Sequence, residues 1–275
     1  MKTIVVPTDF SEISLNAANY AADMACMVGA NVALIHVYMV AMPLSDLPAA
    51  VNYLEGVEVN AREQIEELKE KLLYRTGERI IIHTEVRSGN VLSEITGYCD
   101  IIKPYAVIMG SQGATAAERF FLGSHCVAAM KHLEWPLITV PPKAKFLSIK
   151  KVGLACDFRK VIESVRIQEI KAFIEDFAAE LHVLHVSDEN DGTFSDEMIE
   201  ESGWLQEILA DLKPSYHFLK GLEIEKTISD YAEKNKLDIL LIIPKKHSLW
   251  SKLFQESHSK RLLLQTRIPV MTIHE

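Results

Sequence analysis

Residues 2–10 read KTIVVPTDF, and residues 151–158 read KVGLACDF. Both are short apolar runs opened by Lys and closed by Asp-Phe, so Asp9 matches Asp157. The first, TIVVP, is continuous, β-branched and only a few residues long, as a buried strand is. The correspondence continues along the chain. ANVALIHVY (30–38) matches AELHVLHVS (179–187), pairing His36 with His185, and HTEVRSG (83–89) resembles YHFLKG (216–221), with Gly89 near Gly221. YAVIMG (105–110) matches DILLII (238–243), and WPLITV (135–140) matches IPVMTI (268–273), at one constant offset. Segments matched in the same order indicate a duplicated domain. The boundary is expected in the polar, proline-containing stretch PPKAKFLSIK (141–150), dividing the chain into 1–145 and 146–275.

Each half alternates short apolar runs with amphipathic segments. In the first half Ser11 is placed to cap a helix whose apolar stripe is Ile13, Ala17, Ala21, Met24, Ala25 and Val28. Gly29 is placed to end that helix in a left-handed conformation. VALIHV then reads as a second strand, and a polar connection with Pro43 and Pro48 leads to a helix around 57–76. RIIIHTEV, AVIMG and PLITVP supply further strands, separated by helices over VLSEITGYCDIIK and GSHCVAAMKHL. The second half repeats the plan, with helices near 160–178, 195–211 and 222–235. Strands alternating with helices imply right-handed βαβ units. The expected fold class is α/β, with two tandem, doubly wound, five-stranded, mainly parallel sheets. The strands PLITVP and PVMTI are candidates to pair within one chain, which would cover both exposed edges and make a pseudo-dimer.

Composition narrows the function. The 275 residues carry a formal net charge of −9, with 48% hydrophobic and 24% charged residues, as in globular chains. An acidic balance argues against broad binding to a nucleic-acid backbone. The four cysteines, at 26, 99, 126 and 156, have neither CxxC nor zinc-ligand spacing and read as reduced thiols. With no secretory apolar region at MKTIVVPTDFSE and no membrane-length apolar run, the chain is expected to be cytoplasmic and without a membrane partner.

In an open parallel sheet, ligands bind outside the carboxyl ends of the strands. In the first half those ends carry Pro7-Thr8-Asp9, Val37 and Met109-Gly110-Ser111-Gln112-Gly113, followed after nine residues by Gly123-Ser124. The spacing Gly-x2-Gly-x9-Gly-Ser runs from a strand end to a helix start. Glycines allow close backbone approach, and a helix start offers N–H groups and a positive dipole end to a phosphate. Asp9 could bind a ribose hydroxyl or a phosphate-bound Mg²⁺. The plainer roles remain open at this point: Asp9 and Ser124 as helix caps, Gly110 and Gly113 as turn glycines.

PTDFSE (7–12), LIHV (34–37) and VIMGSQG…GS (107–124) are similar to the universal stress protein family in its ATP-binding branch. The similarity extends over 1–142 and, at a lower level, over 150–275. It implies an adenine nucleotide alpha hydrolase-like fold in each half. It also implies that Pro7, Thr8 and Asp9 line the ribose and adenine, and that Val37 contacts adenine. Met109 and Gly110 would lie near base and ribose, and Gln112 and Gly113 would flank the phosphates. Gly123, Ser124, His125 and Cys126 would hold them. The family usually has Val and a hydroxyl residue where this chain has His125 and Cys126, so one phosphate donor is lost. The ligand expected from the resemblance is ATP, with ADP and AMP as alternatives and Mg²⁺ accompanying the phosphates.

In the second half Gly110, Gly113 and Gly123 fall on Ile243, Lys246 and Glu256, or one residue later on Pro244, His247 and Ser257. The glycines are gone in either register, and Pro7 and Thr8 become Ala155 and Cys156. That half is expected to be degenerate. The resulting reading is a stress-response or signalling protein with an adenine nucleotide in its N-terminal domain and an unknown signalling partner. It would show at most slow ATP hydrolysis, and it could associate further into a homodimer. The alternative is a non-nucleotide-binding interaction protein that keeps the fold for partner binding.

Overall fold

The computed structural model describes residues 1–39, 48–111, 124–156, 166–187, 196–243 and 266–273. The first half contains β1 (Thr3–Pro7), α1 (Glu12–Val28), β2 (Asn31–Tyr38), α2 (Pro48–Thr76) and β3 (Ile82–Ser88). It continues with α3 (Val91–Ile102), β4 (Ala106–Gly110), α4 (Ser124–His132) and β5 (Leu137–Val140). The second contains β6 (Lys151–Ala155), α5 (Ile167–Phe177), β7 (Glu180–Ser187), α6 (Asp196–Ile208) and β8 (Ser215–Lys220). It ends with α7 (Ile224–Asn235), β9 (Ile239–Ile242) and β10 (Val270–Thr272).

Helix α1 shows how directly local chemistry sets these elements. Ser11 Oγ accepts from the Ser14 N–H at 3.3 Å, and Gly29 closes the helix at φ 65°. Its buried face is built of Ala17, Ala18, Ala21, Ala22 and Ala25 around Tyr20 and Met24, small side chains that let the helix lie close to the sheet. Helix α2 begins at Pro48, well before residue 57 where its periodicity is evident in the sequence. Proline is compatible with a first helical turn, because N–H groups there have no intrahelical acceptor.

The strands form one ten-stranded sheet in the order β3-β2-β1-β4-β5-β10-β9-β6-β7-β8. Every neighbouring pair is parallel except β5 and β10, which are antiparallel with Thr139 opposite Val270, Ile138 opposite Met271 and Leu137 opposite Thr272. The two halves thus have the same strand order, mirrored about that pair, and their strands point in opposite directions. Helices α1, α2, α5 and α6 cover one face, and α3, α4 and α7 the other. Each face carries an apolar cluster that draws on both halves.

The connection between the halves is polar in composition yet anchored. Phe146 and Ile149 are buried, Phe146 meets Tyr20 edge-on at 5.2 Å, and Asn16 Nδ2 donates to the Pro141 and Ala144 carbonyls at 3.2 and 3.0 Å. Lys2 forms an ion pair with Asp176 and lies 4.9 Å from the centre of the Tyr105 ring, tying β1 to α5.

Two predictions follow from the sheet. Cysteines at Leu137 and Thr272 are expected to form an intrachain disulfide on oxidation, read by peptide mapping. A bond between two chains would instead mean that β5 and β10 pair between molecules. At the β8 edge, His182 Nδ1 and His217 Nε2 lie 3.1 Å apart in stacked rings, beside Tyr231 and with Glu180 Oε2 3.7 Å from His182 Nε2. Burial, and then the neighbouring His182, hold His217 below its ordinary value of 6.5. The folded state therefore takes up this proton less readily than the unfolded chain. The contribution is full above that value and is lost as pH falls through the folded one. Relative to the intrinsic exchange rate at each pH, the protection of the β8 amides should fall on going from about pH 7.5 to about pH 5, roughly the range of ordinary histidine titration. His217→Phe should flatten that dependence.

Candidate functional site

In the first half the sheet order reverses between β1 and β4, which pair with Ile4 opposite Ala106 and Val5 opposite Val107. The chain leaves β1 to build β2 and β3 on one side, and returns to build β4 and β5 on the other. Such a switch point opens a crevice at the carboxyl ends of its two strands.

Pro7 closes β1 opposite Ile35, and the Thr8 N–H donates to the Ile35 carbonyl at 2.9 Å. Thr8 is buried and its hydroxyl is already engaged, accepting from the Phe10 N–H at 3.1 Å and sharing a hydrogen bond with Ser14 Oγ at 3.1 Å. Asp9 is exposed on this turn, and its Oδ1 accepts from the Ser11 N–H at 3.0 Å and from Ser11 Oγ at 2.6 Å. Burial works to raise the Asp9 pKa, but hydrogen bonds from Ser11 and Ser14 outweigh it and hold the carboxyl below its usual range. The helix cap is Ser11, while Asp9 supports the turn and stays ionised.

Val37 is half-buried near the end of β2, on the α3–α4 face, where it packs against the cluster containing Met109. Val37 and Met109 thus lie on one face of the sheet, near the ends of the two strands that flank β1. Gly110 ends β4, and its backbone is not in the left-handed region. A Cβ there would lie 2.4 Å from Ile13 Cγ2 and 3.1 Å from the Ile13 carbonyl oxygen. Its missing side chain is therefore required by the seat of α1 on β4.

Gln112, Gly113 and Gly123 lie outside the described residues, as do Asp157 and the counterparts of the glycine motif at 244–257. Ser124 begins α4. His125 is exposed on the first turn of that helix, whereas Cys126 is buried against the sheet, where burial pushes its thiol up to about 12. A neutral thiol turned into the core leaves Cys126 only its backbone N–H to offer an anion. In the second half Ala155 ends β6, Cys156 is buried, and Ile243 follows β9 where Gly110 ends β4.

The structure adds His36, Phe10 and Ser14 to the residues that shape this turn. The recurrence of His-Val at 36 and 185 was their one signal in the sequence, and apolar flanks gave it the look of a core position. Gly110→Ala is expected to cost about 1–3 kcal/mol in chemical denaturation, the range for overpacking. Ile13→Ala removes the clashing methyl, so the double variant should lose less than the sum of the two singles.

The sequence model of the Universal stress protein family matches residues 1–141. Over 144 residues, 52% of this chain and 84% of the relative, the chain is 33% identical to Universal stress protein MJ0531 of Methanocaldococcus jannaschii. A universal stress protein from Archaeoglobus fulgidus DSM 4304 superposes with a TM-score of 0.69 at 20% identity, covering 99% of this chain and 96% of that one. A putative universal stress protein from Pseudomonas aeruginosa UCBPP-PA14 gives 0.61 at 15% identity, covering 99% and 93%. At these identities the solved structures speak to fold, and they do so across both halves. The chain belongs to the universal stress protein family.

Proposed function

We propose that the N-terminal half binds an adenine nucleotide, ATP foremost, at the carboxyl ends of β1, β2 and β4, in a stress-response or signalling role. What supports this reading is an ionised, exposed Asp9 just after β1, at the switch point where the flanking strands β2 and β4 carry Val37 and Met109 on the α3–α4 face. That combination suits a nucleoside: a carboxylate accepts from ribose hydroxyls, and apolar side chains take the face of a purine. The start of α4 at Ser124 would supply N–H groups for phosphate, and the Gly-x2-Gly-x9-Gly-Ser spacing in the sequence supports that reading. Mg²⁺ would accompany the phosphates.

The C-terminal half serves in this reading as a built-in partner. Ala155, Cys156 and Ile243 offer no counterpart to Pro7, Thr8 and Gly110, while β10 gives β5 the neighbour that a second molecule would otherwise supply.

Mg-ATP at about a hundred times its dissociation constant should raise stability by about 2.7 kcal/mol, seen as a higher melting temperature. Asp9→Ala should weaken binding about tenfold or more, the scale of a lost charge-assisted hydrogen bond. Bulky replacements of Gly113 and Gly123 should abolish binding. Melting unmoved by millimolar Mg-ATP, with no nucleotide released on denaturing the purified protein, would overturn the proposal in favour of a partner-binding module.

A further inference from the structure

The turn that carries Asp9 is held under strain. Phe10 has φ 63°, a left-handed backbone that an L side chain adopts at a cost. The Phe10 N–H bond to Thr8 Oγ1 stabilises it from within. From outside, His36 supplies two contacts: its Nδ1 lies 2.8 Å from the Thr8 carbonyl oxygen, and its ring lies 4.5 Å from that of Phe10. A carbonyl can only accept, so Nδ1 carries the proton and donates it. His36 therefore grips the residues on both sides of Asp9, one by its main chain and the other by its side chain.

The second half repeats the main-chain part of this grip. His185 Nδ1 lies 3.0 Å from the Cys156 carbonyl oxygen, and the Cys156 N–H donates to Leu184 at 2.9 Å, as the Thr8 N–H does to Ile35. The histidine–carbonyl bond thus persists where Pro7 and Thr8 have been replaced by Ala155 and Cys156. It is common to both halves, and in the first half it holds the residue that precedes Asp9.

We infer that His36 is a positioning residue for the nucleotide site: its Nδ1–H bond to Thr8 and its ring beside Phe10 hold the strained turn in the form that presents Asp9 to the crevice. The inference rests on the proposed binding reading for its functional consequence, though the grip on the turn stands independently of any ligand.

Two substitutions separate the contacts. His36→Phe keeps a ring beside Phe10 and removes the donor, while His36→Asn places its Nδ2 where Nδ1 was. His36→Phe should weaken Mg-ATP binding about tenfold, the worth of one hydrogen bond, and His36→Asn should restore most of the loss. In the ligand-free protein, the Phe10 and Ser11 amides should exchange faster in His36→Phe and recover in His36→Asn, while amides of β6 and β7 stay unchanged. Wild-type affinity in His36→Phe with unchanged exchange, or equal loss in both variants, would overturn the assignment. If the wild-type protein binds no adenine nucleotide, the binding reading fails. Exchange at Phe10 and Ser11 then decides the role of His36 alone: faster in His36→Phe and restored in His36→Asn supports it, and no change overturns it.

Discussion

The antiparallel pairing of β5 with β10 is the constraint on which the rest of the architecture depends. A parallel five-stranded sheet with β5 at its end would leave a row of unpaired backbone groups beside an apolar face. Here each half supplies the edge that the other needs. Ile138 and Met271 face each other at the joint, and both are buried, so the apolar clusters run through it without a break. The outer edges are then β3 and β8, which are far more polar strands.

The same pairing decides where chemistry can sit. Because all other pairs are parallel, one antiparallel joint places the carboxyl ends of the two halves on opposite rims of the sheet. Asp9 on one rim and Cys156 on the other cannot share a ligand. Each half's site stands or falls on its own residues, and a change such as Thr8 to Cys156 in one leaves the geometry of the other intact. The net charge of −9 adds a second condition. Any attraction for a phosphate would have to be local, from backbone N–H groups and helix starts, because the field of the whole chain opposes it.

Much of the fold was legible in particular residues. Ser11 and Gly29 marked the ends of α1 because capping chemistry is local, and TIVVP and LITV marked strands because buried parallel strands are continuously apolar. The start of α2 at Pro48 was not legible, since its first turns lack the periodic charge pairs that identify the remainder. In the linker, Phe146 and Ile149 read as part of a polar stretch, and only the packed structure shows them as anchors. Gly110 was legible only as part of a glycine spacing that suited either a phosphate cradle or a turn, and the structure adds a reason the sequence did not contain: the partner it admits is Ile13, nearly a hundred positions away in the chain.

The sequence by itself determined the matched order of segments in the two halves, the alternation of strands and helices, and the set of residues at the strand ends. All of these depend on local periodicity or on comparison of one segment with another. Tertiary structure alone decided which strand ends meet, that the halves face opposite ways, and that His36 holds the Asp9 turn. Those are properties of contact between distant segments. They arise because hydrogen bonding and the exclusion of water act on proximity in space, which a linear order of residues does not specify.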